Sequence, residues 1–347
     1  MKFPRHILAF RFTALGDVAM TVPVIRILLQ TYPQLELTLV SEPFHAPLFE
    51  NIERLHFIGA STRHEYKGLK GLWKLATRLK REVPFDAVAD LHNVLRTQVL
   101  RQFIRAKNIA VIDKGRSEKR ELTRPVNKKM RPLKTGFQRY ADVFEKLGFP
   151  LVLEKEKGLL LPTLTYGWLP SHQSGQRVIG IAPFARHAAK MYPLEKMRDV
   201  VKLLAANPGN QVVLFGSKAE AVALSVLAGS DESVHNMAGI LNFREELQAI
   251  SSLQLMISMD SANMHLASLY GVPVVSVWGG THPWLGFYGW GQDPANAVQS
   301  NLPCRPSSVF GNKPCPVHGE AGCMQDIMPE DIIKRSNEIL QREQPER

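Results

Sequence analysis

The stretch LMISMDSANMHLASLYGVPVVSVW, residues 255–278, decides the fold class. Leu255–Ser258 and Val274–Trp278 are short apolar runs typical of buried strands, and Ala262–Tyr270 between them has the length and spacing of a helix. A strand, a helix and a second strand in so few residues indicate a parallel pair joined by a crossover helix. The polar residues that follow the first strand stand at the sheet edge where ligands bind in such folds.

The same alternation of strand and helix patterns extends over the rest of the chain, which predicts an α/β protein with parallel sheets. A length of 347 residues suits about two domains of roughly 100–200 residues each. Leu161–Gly175 holds prolines and glycines among polar residues and predicts a linker. We therefore expect a first domain at 1–162, a linker at 163–175 and a second domain at 176–347, with ligands at the carboxyl ends of both sheets, across a cleft. The other predicted strands are His6–Phe12, Glu36–Ser41, Leu55–Ala60, Asp86–Leu91, Ile109–Asp113, Val178–Ala182 and Gln211–Phe215.

Charge is distributed unevenly between the two halves. The chain has a net charge of +11, but residues 1–150 hold 27 lysines and arginines against 14 acidic residues, which gives +13. An excess confined to one half indicates an anionic partner there. No apolar run reaches the roughly 18 residues of a membrane helix, and no secretory signal opens the chain, so we expect a cytoplasmic protein.

The densest basic run lies between residues 114 and 131. Such a run is suited to an anionic acceptor or a membrane surface, and Arg116, Arg120 and Lys128 are its candidate contacts. A solvated surface loop is the alternative, and it is the usual fate of charge runs.

The first predicted strand ends in Arg11-Phe12-Thr13-Ala14-Leu15-Gly16-Asp17, and a helix follows at once. Asp17 would sit in the first helical turn, where the helix dipole favours a carboxylate. A helix N-cap is the other interpretation of Asp17. The dinucleotide pattern GxGxxG is missing here, which argues against a nicotinamide enzyme.

Three further loops follow strands in the second half. Arg186 and Lys190 precede a helix beginning near Pro193, and two cations at a helix N-terminus suit a diphosphate. Solvated loop cations, a capping Asp260 and a histidine that only packs are the alternatives for these loops. Together with Asp17, the loops are expected to converge on one cleft. The second and third loops contribute Asp260, Ser261, Asn263, His265, Gly279, Gly280 and Thr281.

Cys304, Cys315 and Cys323 lie near the C-terminus with His318 among them. Three thiols and an imidazole can bind zinc. Their spacings of eleven and eight residues match no standard zinc pattern, however, and free thiols are the expected state. We therefore predict no metal site.

Five motifs together resemble a known family. Their order and spacing, from about residue 6 to 335, are similar to those of the ADP-heptose:lipopolysaccharide heptosyltransferases, glycosyltransferase family 9. The motifs are Gly16-Asp17, Lys190-Met191-Tyr192-Pro193, Phe215-Gly216-Ser217-Lys218-Ala219-Glu220, Asn236-Met237-Ala238-Gly239 and Asp260-Ser261-Ala262-Asn263-Met264-His265.

The resemblance implies a GT-B fold of two Rossmann-like domains and an inverting transfer that needs no metal or other cofactor. By the match, Asp17 would be the base that deprotonates the acceptor, with Arg11 and Thr13 beside it. Lys190 would neutralise the donor's diphosphate, Glu220 would hold the ribose and Met237 would lie near the adenine. The remaining loop residues of the second half would line the phosphates and sugar.

The partners implied are ADP-heptose and an anionic, lipid-linked acceptor of the Kdo-lipid A type, used by a monomer at the inner face of the cytoplasmic membrane. A GT-B transferase with another nucleotide-sugar or acceptor is an alternative. A nucleic-acid-binding protein is a second one, although the basic residues lack interleaved aromatics and no binding motif is present.

Overall fold

The computed structural model describes residues 4–160, 169, 175–319 and 322–342. The chain divides into two compact units. The first contains the residues up to Lys114 together with Lys134–Gly158, and the second contains Gly115–Leu133 and the residues from Leu159 onward. The predicted linker at 163–175 lies outside the described residues except for Leu169 and Gly175.

The first unit is a five-stranded parallel sheet with helices. Its strand order is β3-β2-β1-β4-β5, so the first strand is central. The strands are β1 (His6–Phe10), β2 (Glu36–Ser41), β3 (Leu55–Gly59), β4 (Ala87–Asp90) and β5 (Ile109–Val111). The helices are α1 (Leu15–Ala19), α2 (Thr21–Thr31), α3 (Gly68–Glu82), α4 (Leu95–Ile104) and α6 (Gly136–Glu145). Helix α5 belongs to the second unit.

Burial on both faces explains why β1 reads as a continuous apolar run and not as an alternating one. Ile7 to Phe10 have no exposed surface, and Leu8 and Phe10 pack with the buried side of α3 through Leu75 and Leu79. The central position of β1 places the segment after it, which includes Asp17, at the carboxyl end of the sheet.

The second unit is a six-stranded parallel sheet of order β11-β10-β9-β6-β7-β8. The strand pair predicted from residues 255–278 is confirmed, with Val275 opposite Ile257 in parallel register. The strands are β6 (Arg177–Ala182), β7 (Asn210–Leu214), β8 (Val234–Asn236), β9 (Leu255–Met259), β10 (Val274–Trp278) and β11 (Ala297–Gln299); the helices are α5 (Arg116–Leu122), α7 (Leu194–Ala205), α8 (Ala221–Ala228), α9 (Phe243–Ser251), α10 (Ala262–Leu269), α11 (Gly322–Gln325) and α12 (Pro329–Arg342).

One segment differs from the sequence-based division. Residues 115–133 precede the predicted boundary at 162, yet they pack into the second unit. Leu122 and Leu133 form a small buried core with Leu285, and the Leu133 N–H donates to the Trp284 carbonyl at 2.9 Å. The segment carries seven basic and two acidic residues, so +5 of the charge counted in the first half belongs to the second unit.

The described part of the chain holds no helix with both the length and the apolar character that crossing a membrane requires.

Candidate active site

Asp17 lies just beyond the carboxyl end of β1, in the first turn of α1. The residue at the N-cap of this helix is Ala14, so the interpretation of Asp17 as an N-cap is wrong. The Asp17 side chain is 36% exposed, and a ligand can reach its carboxylate. The buried Tyr140 hydroxyl donates to the Asp17 backbone carbonyl at 3.2 Å and helps to fix this turn.

A buried arginine holds the Asp17 carboxylate in place. The Arg11 guanidinium lies 2.6 Å from Asp17 Oδ2 and donates to the Leu91 carbonyl at 2.9 Å, while only 5% of its side chain is exposed. Because Arg11 is buried and hydrogen-bonded to the backbone, its ion pair orients and neutralises the Asp17 carboxylate. Direct contacts of Arg11 and of the partly exposed Thr13 with an acceptor stay predictions.

Two buried histidines flank the Arg11 backbone. His92 Nδ1 lies 3.4 Å from the Phe12 N–H, and His45 Nδ1 lies 2.8 Å from the Ser41 hydroxyl, which donates to the Arg11 carbonyl at 2.5 Å. Burial, together with the Arg11 charge, lowers the pKa of His92 to about 3 and that of His45 to about 4. Both rings are therefore neutral near pH 7 and leave Arg11 as the cation beside Asp17.

In the second unit, three of the predicted residues form one cluster. The Lys190 ammonium lies 2.7 Å from Asp260 Oδ2, and the same oxygen accepts from the Thr281 hydroxyl at 2.7 Å. Lys190 also donates to the Asp260 backbone carbonyl at 3.2 Å. The loops that follow β6, β9 and β10 thus meet at the carboxyl end of the sheet, as their positions after the strands predicted.

Gly279 and Gly280 owe their residue type to the close approach of neighbouring chain segments. A Cβ at Gly279 would lie 2.7 Å from the Ala189 carbonyl oxygen, and the Gly280 N–H donates to that same oxygen at 2.8 Å. The segment at 188–190 is thereby tied to the loop after β10. Neither glycine takes the positive φ for which turns select glycine.

Arg305 clamps this loop and was missed by the sequence analysis. Its guanidinium donates to the backbone carbonyls of Trp278, Gly279, Thr281 and Ser300 at 2.5–3.0 Å, although only 3% of the residue is exposed. Burial lowers the pKa of Arg305 to about 10, and the group remains a cation near neutrality. A single arginine in a Pro/Gly-rich stretch gives no sequence signal of three contacts with carbonyls more than twenty residues away.

The start of α10 holds the next predicted residues. Ser261 is the N-cap, and its hydroxyl lies 3.1 Å from that of Ser258. Asp260 precedes the cap and therefore does not serve as one. Asn263 contacts Glu246 at 3.5 Å, and His265 is buried one turn into the helix.

Glu220 and Met237 lie on the two neighbouring loops that follow β7 and β8, also at the carboxyl end of the sheet. Glu220 Oε2 accepts from both the backbone N–H and the hydroxyl of Ser217, which fixes the turn before α8. Met237 follows β8, and Gly239 two residues later packs directly on Lys218. The two loops touch each other, which is compatible with one ligand group contacting both.

The remaining cations occupy different environments. Arg186 is exposed and lines a shallow cavity of about 210 Å³ together with Lys313. Arg116 and Arg120 are exposed on α5. The Lys128 ammonium instead donates to the backbone carbonyls of Cys304 and Pro306, so its predicted acceptor contact would require these bonds to break.

The side chains of the three cysteines and His318 lie closer together than the spacing of the cysteines in the sequence suggested. Ligand atoms of Cys304, Cys315 and His318 all lie within 4.8 Å of one another, and Cys323 Sγ lies 4.0 Å from Cys304 Sγ. The sequence analysis, which predicted no metal site, did not anticipate this cluster.

The neutral His92 predicts a pH dependence of stability. Its pKa is about 3 in the folded chain and about 6.5 when unfolded, so only the unfolded state binds a proton between these values. The contribution of His92 is complete above pH 6.5 and falls by about 1.4 kcal/mol per unit below it. In urea unfolding, the stability difference between the parent and His92→Gln should shrink by about 2 kcal/mol from pH 7 to pH 5. His64→Gln, on an exposed histidine, is the control, and parallel pH curves for the parent and His92→Gln would contradict the assignment.

Comparisons of the sequence with a family model and with curated proteins agree on one family. Residues 72–315 match the family model of glycosyltransferase family 9 (heptosyltransferase). The chain is 26% identical over 291 residues to the lipopolysaccharide core heptosyltransferase OpsX of Haemophilus influenzae, covering 81% of this chain and 80% of the relative. It is 22% identical over 334 residues to lipooligosaccharide heptosyltransferase 2 of Campylobacter jejuni, covering 94% and 96%.

Solved structures share the fold. The ADP-heptose lipopolysaccharide heptosyltransferase II of Escherichia coli superposes with a TM-score of 0.69 at 21% identity, covering 97% of this chain and 99% of that one. A glycosyltransferase family 9 protein of Veillonella parvula gives 0.76 at 19% identity, covering 97% and 98%. These neighbours confirm the expected GT-B class of two Rossmann-like domains. The match of the family model over most of the chain shows that this protein is a glycosyltransferase and belongs to glycosyltransferase family 9.

Proposed function

We propose that the protein transfers heptose from ADP-heptose to the inner core of a lipopolysaccharide of the Kdo-lipid A type, with inversion at the anomeric carbon. The observation that carries the proposal is the buried cluster of Lys190, Asp260 and Thr281 at the carboxyl end of the second sheet. The names of the curated relatives, a core heptosyltransferase and a lipooligosaccharide heptosyltransferase, support the choice of sugar and acceptor.

The leaving group is a nucleoside diphosphate, which needs a fixed cation. An ammonium has three N–H donors, and Asp260 accepts from Lys190 with two oxygens, Oδ2 and the backbone carbonyl. We assign the third donor to a phosphate oxygen. Since the lysine is held before the donor arrives, it stabilises the charge that develops on the diphosphate without reorganising.

Ser261, Asn263 and His265 at the start of α10 are proposed to line the phosphates and sugar, with Gly279, Gly280 and Thr281 beside them. The first N–H groups of a helix attract anions. Glu220 and Met237 are proposed to hold the ribose and adenine, and exposed Arg186 to approach the diphosphate. These roles extend the family resemblance to the positions found here.

Asp17 is the proposed general base. As the acceptor oxygen attacks the anomeric carbon, its proton passes to the Asp17 carboxylate, and the bond from that carbon to the diphosphate breaks with its electrons leaving on ADP. Arg11 holds the carboxylate in place through its 2.6 Å ion pair. A base of ordinary basicity suffices, because the acceptor hydroxyl becomes acidic as it attacks.

The same arrangement supports a transfer that needs no divalent ion at the diphosphate, because Lys190 supplies the positive charge there. Activity in the presence and absence of added Mg²⁺ tests this part of the proposal. Binding of a panel of nucleoside diphosphates distinguishes ADP from the nucleotide of another GT-B donor.

The first prediction concerns Asp17→Asn. Loss of the base should lower the turnover of ADP-heptose by roughly 10²–10⁴-fold while the affinity for ADP, measured by calorimetry, stays within error. Glu65→Gln makes the same chemical change on an exposed residue of the same unit and should leave turnover unchanged. Near-normal turnover of Asp17→Asn would show that the base lies elsewhere.

The second prediction concerns Lys190→Met, which keeps most of the buried alkyl chain and removes the charge. Loss of a charge-assisted hydrogen bond should weaken ADP binding by about 1.5–3 kcal/mol, and turnover should fall with it. Lys202→Met on the exposed side of α7 is the matched control. Equal ADP affinity in Lys190→Met and the parent would remove Lys190 from the donor site.

The third prediction concerns the basic segment 115–133, which we propose docks the acceptor or the anionic inner face of the cytoplasmic membrane. Arg116, Arg120 and Arg124 are exposed, and each basic residue near a negative bilayer contributes about 1 kcal/mol. Replacing the three with serine should raise the acceptor KM and weaken sedimentation with vesicles containing phosphatidylglycerol, without changing ADP affinity. The effect on sedimentation should fade as salt rises.

The matched control for that experiment is the triple replacement of Lys70, Lys74 and Arg81 with serine, which removes the same charge from α3. A large loss of ADP binding in the first triple variant, or vesicle binding and acceptor KM equal to those of the parent, would contradict the assignment of this segment.

A further inference from the structure

We propose that Cys304, Cys315, His318 and Cys323 form a structural binding site for a thiolate-preferring transition metal ion, Zn²⁺ or Fe²⁺. The site belongs to the second unit and does not depend on the proposed sugar transfer. Three thiolates and one imidazole are a complete donor set for a closed tetrahedral centre.

Cys304, Cys315 and His318 have ligand atoms within 4.8 Å of one another, and Cys323 lies outside this group, next to Cys304, so its thiol would have to move closer to complete the centre. Cys304 Sγ lies 3.4 Å from His318 Nδ1 and 4.0 Å from Cys323 Sγ, and Cys315 Sγ lies 4.0 Å from His318 Nδ1. A tetrahedron with metal–sulfur bonds of about 2.3 Å and metal–nitrogen bonds of about 2.0 Å has edges of roughly 3.5–3.8 Å. The three thiols are not joined by a disulfide.

The backbone around the ligands brings them together. Cys315 and Gly319 exchange two backbone hydrogen bonds of 2.9–3.0 Å, which forms a tight turn carrying His318. Gly319 has a φ of +72°, which glycine adopts without strain. A Cβ on Gly322 would lie 2.1 Å from the His318 Cβ, so glycine at 322 allows the turn and the buried Cys323 to approach each other.

Charge balance gives an independent argument. A divalent ion with three thiolates and a neutral imidazole carries a net charge of −1. Arg305 follows Cys304 directly and is buried, and among the described residues its guanidinium contacts only backbone carbonyls and no carboxylate. The Lys128 ammonium is held at the carbonyls of Cys304 and Pro306. The anionic metal centre would supply a counter-charge to these two cations, which form no ion pair with a carboxylate within the described part of the chain.

The site would brace the proposed donor loops. Ser307 and Ser308, just after Cys304, donate their backbone N–H groups to the Gly280 carbonyl at 2.9 and 3.1 Å. Further along, Gly311 packs on the alkyl chain of Lys190. A metal that fixes residue 304 therefore limits the movement of the segment covering Lys190, without contacting the reacting groups.

Metal analysis of the full chain tests the proposal. Protein purified anaerobically without chelators should contain about one equivalent of zinc or iron by mass spectrometry of the elements, and that measurement distinguishes the two metals. Replacement by Co²⁺ should give the intense visible absorption of a tetrahedral thiolate complex. Cysteine thiols should react slowly with a thiol reagent until a chelator removes the metal.

Variants assign the metal to these residues. His318→Ala and Cys315→Ser should lose the metal and melt at a lower temperature, whereas His318→Cys should retain it with a spectrum shifted by the fourth thiolate. His64→Ala is the control for removing an exposed histidine. Should Cys315→Ser fail to fold, the comparison of His318→Ala with His318→Cys still decides the question.

Three results would overturn the proposal. They are a parent protein that contains no metal and takes up neither added Zn²⁺ nor added Fe²⁺, metal content unchanged in His318→Ala, and a disulfide between Cys304 and Cys323 in the reduced cellular protein. Metal content is measured without a sugar donor, so failure of the proposed transfer leaves this test intact.

Discussion

The carboxylate of Asp260 is the group on which the candidate donor site depends. It is almost fully buried, and one of its oxygens accepts from both Lys190 and Thr281. Such a carboxylate is costly to bury unless it is paired, so the ion pair fixes the loops that supply its partners. Removing either charge of this pair would leave the other buried and uncompensated. The position of Lys190 is therefore determined by the folding of three loops and not by the ligand.

The first unit uses the opposite arrangement. There the buried member of the ion pair is the cation, Arg11, and the exposed member is the carboxylate, Asp17. The difference matches the charges of the proposed partners. A diphosphate requires an accessible cation with a buried anion behind it, and an acceptor hydroxyl requires an accessible carboxylate with a buried cation behind it. In each ion pair one member is thus more exposed than the other, the carboxylate in the first unit and the ammonium in the second.

Local sequence patterns predicted much of this architecture, because parallel strands are buried on both faces and leave continuous apolar runs. They also placed Lys190, Asp260 and Thr281 in loops at the carboxyl ends of strands, and Asp17 in the first turn of the helix after β1. The short strands β8 and β11 escaped prediction because polar residues interrupt them, whereas the equally short β5 is a wholly apolar run.

Contacts between distant segments could not be predicted where they do not follow from the order of strands and helices. Lys128 and Cys304 are 176 residues apart, and nothing in either local sequence indicates that the lysine binds the Cys304 carbonyl. The placement of 115–133 was wrong for the same reason, because chain order assigned the segment to the first domain. The spacing of the cysteines also gave no indication of their proximity, which results from a turn at 315–319 and a helix that begins at Gly322.

The attachment of 115–133 to the second unit changes the meaning of the charge asymmetry. The basic helix α5 rests on Leu285 through Leu122, while the Lys119 ammonium lies 4.0 Å from the centre of the Phe287 ring. Lys119 and Lys128 therefore hold the segment in place, whereas Arg116, Arg120 and Arg124 are exposed to solvent. The basic run therefore contains two sets of residues. One set anchors the segment to the second unit, which holds the candidate donor site, and the other set faces solvent. Lys128 is hydrogen-bonded to the backbone carbonyls of Cys304 and Pro306. The conformation of the cysteine region therefore helps to determine where segment 115–133 and its exposed arginines lie.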